Sequence, residues 1–305
     1  MGTEQPSTVR AALRLVLQGM RQRGAHPAAS PGRRVVVERD AVRVDPARLR
    51  GFLAVTRGDG IPGLAAKDAP LPPTLPCLWE TALALELLSV AGVGLPRGGL
   101  IHLESEVLPL RAMYAGERFR SRVELERVEA HARGKLLVLR SRCWNSPGQL
   151  CQESVVKLLA RSAAPPPPRA VPPTAPDPEE QQSWRALLEW SLPANLGRRY
   201  ARVSGDYNPI HLWPWSARLM GYRRPLLHGF CIEAMVAHAL IAELLGGNPR
   251  ALRRLQIYFR SPLFIPARVR LLVNEAGAAG HRFRLVDAGA PTRRPYAEGC
   301  FTGAA

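Results

Sequence analysis

One short segment of the sequence combines residue types that can move protons. Positions 200–211 read Tyr-Ala-Arg-Val-Ser-Gly-Asp-Tyr-Asn-Pro-Ile-His, which places Asp206 five residues before His211. The glycine and the Asn208-Pro209 pair predict an irregular turn, and a tight turn can bring a carboxylate and an imidazole to one space. Such a pair can divide the proton transfers of an acid–base reaction. The alternative is that Asp206 only caps a helix and His211 only packs.

A second segment follows soon after the first. Positions 221–230 read Gly-Tyr-Arg-Arg-Pro-Leu-Leu-His-Gly-Phe and lead into an apolar stretch. Together with the intact Ser-Gly-Asp-x-Asn-Pro-x-His core, this segment resembles the hydratase 2 motif of MaoC-like (R)-specific enoyl-CoA hydratases and 3-hydroxyacyl thioester dehydratases. The likeness extends from about Arg198 to Thr302, whereas the first half matches only in outline. The resemblance therefore implies a double hot-dog member of that family.

The resemblance implies a catalytic site in the second half. Asp206 and His211 would hold one water against the C2=C3 bond of an enoyl thioester, and the backbone N–H of Gly229 would face the thioester oxygen. Free N–H groups at a helix start stabilise a developing anion, and glycine lets the backbone approach a ligand closely. Which member of the pair acts as acid and which as base stays open, because coupled groups share the water.

Four further residues are candidate substrate-binding groups. Asn208 fixes the turn or orients the catalytic pair. His228 contacts the site, or it caps or packs the following helix. Arg223 and Arg224 are candidates for phosphate contacts, and the alternative is a pair of solvated loop arginines.

Three positions on the second apolar stretch call for separate interpretations. Glu233 and His238 are expected to be satisfied polar groups in a core. Some relatives carry a serine there that supports the catalytic pair, and the corresponding residue in this chain is Ala237. The sequence thus offers no such support.

The elements that would position these residues repeat along the chain. An apolar helix is predicted from about Leu78 to Ala91 and another from about Phe230 to Leu245, and helices with no polar face should be wrapped by sheet. Strands are predicted after each helix, over Ile101–Val107, Phe119–Val128, Lys135–Cys143 and Gln152–Leu159 in the first half, and over Leu255–Phe259, Val269–Val273, Phe283–Val286 and Tyr296–Phe301 in the second. The fold class is therefore α+β, with two repeats of a long central helix wrapped by an antiparallel sheet.

The first repeat lacks the chemistry of the second. Asp59 is followed by Gly-Ile-Pro-Gly-Leu where Asn-Pro-x-His would be needed, and the entry to its helix over positions 74–78 contains no His-Gly. We expect this repeat to be catalytically silent, with Asp59 as a turn residue. In double hot-dog relatives such a repeat is remodelled to admit the acyl tail, which the resemblance implies here also.

The chain divides into four parts. Residues 1–34 form a basic N-terminal extension, predicted to contain a short surface helix, although an organelle transit peptide has the same bias. Residues 35–162 form the degenerate hot-dog, and residues 184–305 form the catalytic one. Between them, residues 163–183 contain eight prolines and predict an extended linker.

The charge of the chain has three interpretations. The 305 residues include 42 Lys and Arg against 25 Asp and Glu, a net charge of +17, and 39 of the cations are arginine. The excess reflects codon bias on a solvated surface, an acidic partner or phosphate-bearing substrate, or nucleic acid. Nucleic acid is the weakest of these, because the arginines are scattered and no zinc-finger or RNA-recognition pattern is present.

Composition narrows the setting and the cofactors. There is no apolar run of about 18 residues, no clean secretory signal and no CxxC pair among the five cysteines. We expect a cytoplasmic protein that binds neither membrane nor nucleic acid, as a monomeric double hot-dog or a homodimer. No metal or redox cofactor is expected, and coenzyme A or phosphopantetheine enters as part of an acyl-CoA or acyl carrier protein substrate. The alternatives are a hot-dog acyl thioesterase and a non-catalytic acyl-thioester-binding subunit.

Overall fold

A computed structural model of the chain describes residues 35–93, 99–161, 184–275 and 280–303. The predicted helix of the N-terminal extension and the proline-rich linker lie outside the described residues. The described part contains ten strands and a set of helices, which follow one another in the same order in each half. No helix in this part of the chain has the length and apolar character needed to cross a membrane.

The strands form one antiparallel sheet. In chain order they are β1 (Val35–Val42), β2 (Leu100–Pro109), β3 (Phe119–His131), β4 (Gly134–Asn145), β5 (Leu150–Arg161), β6 (Arg185–Leu192), β7 (Leu252–Phe259), β8 (Ala267–Glu275), β9 (His281–Asp287) and β10 (Ala297–Gly303). All eight predicted strands are confirmed; seven lie within these bounds, and the predicted strand Tyr296–Phe301 begins one residue before β10. Strands β1 and β6, the first strand of each repeat, were not predicted.

The helices lie on the sheet in two matching sets. The first repeat contains α1 (Pro46–Thr56), the single turn α2 (Pro62–Ala65) and α3 (Cys77–Val90). The second repeat contains α4 (Leu196–Ser204), a 3₁₀ turn (Pro209–His211), α5 (Pro214–Leu219) and α6 (Gly229–Leu244). The two long helices predicted from apolar content are α3 and α6.

The sheet order proves the internal repeat. The strands lie in the order β1-β3-β4-β5-β2-β7-β10-β9-β8-β6. Each half reads first, third, fourth, fifth and second strand from its outer edge, so the two halves have one topology. They join where β2 pairs with β7 in antiparallel fashion, with Ser105 opposite Ile257. The predicted α+β architecture of two helix-and-sheet repeats is confirmed.

The long helices are buried because they have no polar face. In α6 every residue from Cys231 to Ile241 is buried, and in α3 the side chains of Leu83 and Leu87 are fully buried. Removing this much apolar surface from water is the main stabilising contribution to such a fold. Side chains of both repeats belong to one hydrophobic cluster. The core is therefore shared between the repeats.

Candidate active site

The turn that follows α4 is fixed by its own polar groups. The helix ends at Gly205, whose φ of 77° is in the left-handed region that glycine adopts without strain. The Asp206 carboxylate accepts a hydrogen bond from the Asn208 backbone N–H at 3.1 Å. The Asn208 side-chain oxygen accepts from the N–H of Ile210 at 3.3 Å and caps the 3₁₀ turn. The Asn208 side-chain oxygen thus serves the turn, which was one of its two predicted roles.

His211 is held in one tautomer. Its Nδ1 lies 2.9 Å from the backbone oxygen of Leu226. A carbonyl oxygen only accepts, so Nδ1 carries the proton and Nε2 keeps a lone pair when the ring is neutral. Burial lowers the pKa of His211, and the charge of Asp206 opposes this shift. The ring therefore presents a proton acceptor at Nε2 near neutral pH.

His228 contacts both Asp206 and His211. Its side chain is 3% exposed, and its Nε2 donates to the backbone oxygen of Asp206 at 3.0 Å. Its ring stacks on that of His211 with the centroids 3.7 Å apart. Burial lowers the pKa of His228 to about 3, so the ring is neutral. Its Nδ1 is buried and accepts no hydrogen bond within the described residues.

The structure brings three of the predicted site residues together. One donor atom from each of Asp206, His211 and His228 lies within 4.8 Å of the others. Carboxylate oxygens and imidazole nitrogens are also zinc ligands, so this set is the place where the described residues could hold a metal ion. Two of its four ring nitrogens are already hydrogen-bonded to backbone oxygens. The absence of a metal requirement remains a prediction.

The helix start predicted from the His-Gly pair lies beside these groups. Helix α6 begins at Gly229, and His228 is its N-cap residue without forming a side-chain cap. The first N–H groups of a helix have no partner within it and form the positive end of its dipole. The amide of Gly229 is therefore directed away from the helix body, next to His228.

His102 is a neighbour of Gly229 that the sequence analysis missed. A Cβ atom placed on Gly229 would lie 2.5 Å from Nδ1 of His102, which comes from β2 of the first repeat. The centroid of the His102 ring also lies 4.6 Å from those of Phe230 and Phe259, and its Nε2 is buried without a hydrogen-bond partner among the described residues. Burial lowers its pKa to about 3. A lone histidine in a strand offers no local signal that it lies against the other repeat.

Arg48 is a second contribution from the first repeat. This residue of α1 donates to the backbone oxygens of Val203 at 2.6 Å and Ser204 at 3.1 Å, and to that of Leu78 at 2.9 Å. A cation at the end of α4 satisfies carbonyls that the helix leaves open. The turn that contains Asp206 begins at this point, so Arg48 anchors its first residues.

Gly197 makes room for the far end of the same turn. A Cβ at this position of α4 would overlap the backbone oxygen of His211. The close approach of α4 to the turn therefore requires glycine here.

The two predicted arginines have other contacts. The guanidinium of Arg223 lies 4.6 Å from the ring centroid of Phe264, and Arg224 donates to the backbone oxygen of Pro266 at 3.4 Å. Both are exposed. Their predicted role as phosphate contacts stays a prediction.

The polar residues of α6 are buried but not satisfied as expected. Nδ1 of His238 donates to the backbone oxygen of Thr56 at 3.1 Å, but its Nε2 has no hydrogen-bond partner in the described part of the chain. The same holds for one buried carboxyl oxygen of Glu233. The expectation of fully satisfied core groups is therefore wrong, while Ala237 is buried and provides no hydroxyl.

The first repeat has no matching pair. Asp59 is exposed in the turn after α1. At the start of α3 the position of Gly229 is taken by Cys77, whose thiol lies 3.5 Å from the hydroxyl of Tyr200. Among the described residues, a cluster of three His, Cys, Asp or Glu side chains occurs only in the second repeat, as Asp206, His211 and His228.

Two long helices wrapped by one repeated sheet, with an Asp/His pair beside one helix start, define a double hot-dog protein with a single candidate site. Comparison with known proteins agrees. Residues 176–291 match the family described as MaoC like domain. The second half of the chain therefore contains a MaoC-like domain, and this match spans less than half of the 305 residues.

Individual relatives support the same assignment. The chain is 29% identical over 245 residues to 3-hydroxyacyl-thioester dehydratase X of Mycobacterium tuberculosis. The aligned region covers 80% of this chain and 81% of that protein. Superposition on a crystal structure of HtdX from that organism covers 88% of this chain and 100% of the HtdX chain, with 23% sequence identity and a TM-score of 0.69. Superposition on another protein of that organism, described as having a double hot-dog fold, covers 88% of this chain and 95% of that chain, with 12% sequence identity and a TM-score of 0.57.

Proposed function

We propose that this protein is an acyl-thioester hydro-lyase that interconverts trans-2-enoyl and (R)-3-hydroxyacyl thioesters. The observation that carries the proposal is the placement of the Asp206 carboxylate and the lone-pair Nε2 of His211 beside the start of α6. The printed name of the M. tuberculosis relative, a 3-hydroxyacyl-thioester dehydratase, supports the same reaction class.

Asp206 and His211 together would bind one water. In hydration, the oxygen of this water bonds to C3 of the enoyl group, and a proton is delivered to C2. The pair accepts the proton that the water loses and supplies the proton that carbon gains, so it ends in its starting state. Dehydration runs through the same groups in reverse.

The backbone N–H of Gly229 would stabilise the intermediate charge. As C2 gains or loses its proton, negative charge moves to the thioester oxygen as an enolate. A preorganised amide at a helix start stabilises such a charge, and removal of one such donor in other enzymes costs about 10²–10³ in rate. No metal or redox group is needed for this polarisation.

The remaining parts of the proposal concern the substrate and its setting. Coenzyme A or phosphopantetheine would enter as part of the substrate, with Arg223 and Arg224 available for its phosphates. The silent first repeat would accommodate the acyl tail. All five cysteines are free, which fits the cytoplasm as the compartment. The double hot-dog would act as a monomer or a homodimer.

The test is hydration of crotonyl-CoA, followed by loss of the enoyl thioester absorbance. We expect Asp206→Asn and His211→Ala each to lower kcat by at least about 100-fold, because each removes one of two groups that hold the water. Chelation with EDTA should leave the wild-type rate unchanged. Wild-type protein inactive on enoyl thioesters of every chain length, or full rate in both variants, would refute the proposal. Release of free thiol from saturated acyl-CoA would favour the thioesterase alternative.

A further inference from the structure

The surface beside the catalytic turn is apolar. Eight large apolar or aromatic side chains of the described residues are well exposed, and five of these eight fall between positions 207 and 220. The most exposed are Leu219, at 79%, and Trp215, at 63%. We call the five the aromatic patch: Tyr207, Trp213, Trp215, Leu219 and Met220. Exposed apolar side chains concentrated in one place indicate a contact surface for a partner.

The aromatic patch is rigidly connected to the candidate active site. It lies on α5 and on the turn that contains Asp206 and His211. The Ser216 hydroxyl of α5 donates to the backbone oxygen of Pro209 at 2.7 Å and ties the helix to the turn. A partner on the aromatic patch would therefore lie next to the turn that contains Asp206 and His211.

The surroundings of the aromatic patch are basic. Positions 198–224 contain six arginines and a single acidic residue, Asp206. The guanidinium of Arg198 lies 4.1 Å from the ring centroid of Trp213, and Arg218 is exposed on α5 between Trp215 and Leu219. Large apolar side chains with a basic rim match an acidic partner that also presents apolar groups.

We infer that the aromatic patch is the docking surface for an acidic acyl carrier protein, which delivers its acyl thioester to the adjacent site. This inference rests on the proposed function. A carrier protein offers negative charge and an apolar contact together, and its phosphopantetheine arm carries the substrate from the surface inward. A nucleotide offers phosphates but too little apolar area to cover five large side chains.

Other occupants match the charge less well. A second copy of the chain would bring the same arginines face to face, since the net charge is +17. The segment from residue 7 to residue 34 is basic and contains no acid. The short run Asp177-Pro178-Glu179-Glu180, which precedes β6, is an acidic segment of the chain itself. Its charge is opposite to that of the arginines around the aromatic patch, so the experiment includes it.

The experiment compares one enoyl group on two carriers. Crotonyl-CoA and crotonyl-loaded acyl carrier protein are hydrated by the full chain, by Trp215→Ser/Leu219→Ser and by Arg218→Glu. Matched controls are Val90→Ser and Arg118→Glu, which make the same changes at exposed positions elsewhere. We expect kcat/KM for the carrier-protein substrate to fall at least tenfold in both patch variants. With crotonyl-CoA all variants should stay within twofold of wild type.

Binding measured without turnover separates this inference from the proposed function. Titration calorimetry with holo acyl carrier protein should give binding to wild type and controls, weaker in 0.5 M salt, and at least tenfold weaker binding to the patch variants. If wild type hydrates neither substrate, the proposed function fails, and calorimetry still decides the docking.

Three results would overturn the inference. The first is wild-type protein that does not bind the carrier, and the second is patch variants that bind it as tightly as wild type. The third is patch variants that lose crotonyl-CoA activity equally, which would indicate a nucleotide site. Binding only after Asp177→Asn/Glu179→Gln/Glu180→Gln is a case of the first result and would show that the chain covers its own patch. Association with phosphatidylglycerol vesicles without carrier binding falls under the first result and would identify a membrane surface.

Discussion

At the scale of single residues, the candidate site contacts a side chain from the first repeat. His102 is neutral, half-buried and adjacent to Gly229, whose amide is the proposed oxyanion donor. A positional error of about 1 Å can cost about 100-fold in rate, so packing against this glycine bears on the reaction. His102 is thus a positioning residue for the proposed mechanism.

A double-mutant cycle tests this contact. Gly229→Ala would place its Cβ 2.5 Å from His102 Nδ1, and we expect kcat for crotonyl-CoA to fall about 10- to 100-fold with little change in KM. If overlap with His102 is the cause, His102→Ala in the same chain should restore at least a tenfold part of the loss. If His102→Ala restores no activity, the added methyl group instead disturbs binding of the thioester oxygen. Gly60→Ala, where a Cβ meets open space, serves as the control.

The sequence could predict that Asp206 and His211 lie together but not which residues support them. Asp206 and His211 are five positions apart, so a local turn and its motif reveal them. His102 and Arg48 act across the repeat boundary, and Arg48 reaches Val203 over 155 positions of chain. No local pattern encodes such a contact, because it depends on how β2 meets β7 and how α1 meets α4. His228 was found as a candidate, but its stacking on His211 required the fold.

At the scale of elements, the two central helices each bury a glutamate. Glu80 of α3 is 7% exposed and Glu233 of α6 is 2% exposed. The pKa of Glu80 is raised to about 8, mainly by burial and to a smaller extent by the Glu233 carboxyl. A hydrogen bond with the Ser141 side chain opposes this shift. Burial raises the pKa of Glu233 to about 7, with Ser105 opposing the shift. Both carboxyls are therefore mainly protonated in the folded state when the pH is below these pKa values.

This pair makes stability depend on pH. A carboxyl whose folded pKa lies above its ordinary value stabilises the fold fully below that ordinary value, and the contribution is lost as pH rises through the folded pKa. We expect the free energy of unfolding of wild type, relative to that of Glu80→Gln/Glu233→Gln, to fall by at least about 1.4 kcal/mol, the value of one pKa unit, between pH 6.5 and 8. Denaturant unfolding across this range measures it.

The choice of range and variants isolates the two glutamates. Burial lowers the pKa of His102, His211, His228 and His238 below the ordinary value of 6.5, so these rings add stability as pH rises through 6.5. Wild type and variant share this contribution, and it cancels in their difference. Glu80→Gln/Glu233→Gln should abolish the fall that the glutamates cause, whereas Glu243→Gln, at an exposed position of α6, should leave the slope unchanged. An unchanged slope in the double variant would contradict the assignment.

The elements found and missed differ in burial. Helices α3 and α6 and eight strands were predictable, because continuous or alternating apolar residues mark buried elements. The missed strands β1 and β6 lie at the two outer edges of the sheet, and most of their residues are only partly buried or exposed. An edge strand needs apolar residues on less of its surface, so its pattern is weaker.

At the scale of the whole molecule, the two repeats form one structure. Strands β2 and β7 unite the sheet, and a single hydrophobic cluster includes side chains of both halves. Polar contacts also cross the boundary, from Arg48 to the end of α4 and from His238 to Thr56. Division of the chain at the proline-rich linker therefore separates covalent segments but not independent cores.

This unity predicts the behaviour of the second repeat alone. Residues 184–305 contain the entire motif, yet without the first repeat they expose the edge of β7 and the buried face of α6. Unpaired strand edges and large apolar surfaces drive association, so we expect this fragment to self-associate in size-exclusion chromatography. We also expect crotonyl-CoA hydration at least about 100-fold below the full chain, because Arg48 and His102 no longer hold the turn and Gly229.

The matched control is the same fragment produced together with residues 1–162, so that only the linker is missing. Since no contact named above depends on the linker, the two pieces should form a one-to-one complex with activity close to that of the full chain. A second repeat that is monomeric and fully active alone would show that the first repeat contributes nothing to the site. Loss of activity in the complex would assign a role to the linker. Restoration only in the complex would show that the repeat without catalytic groups is required for the chemistry of the other.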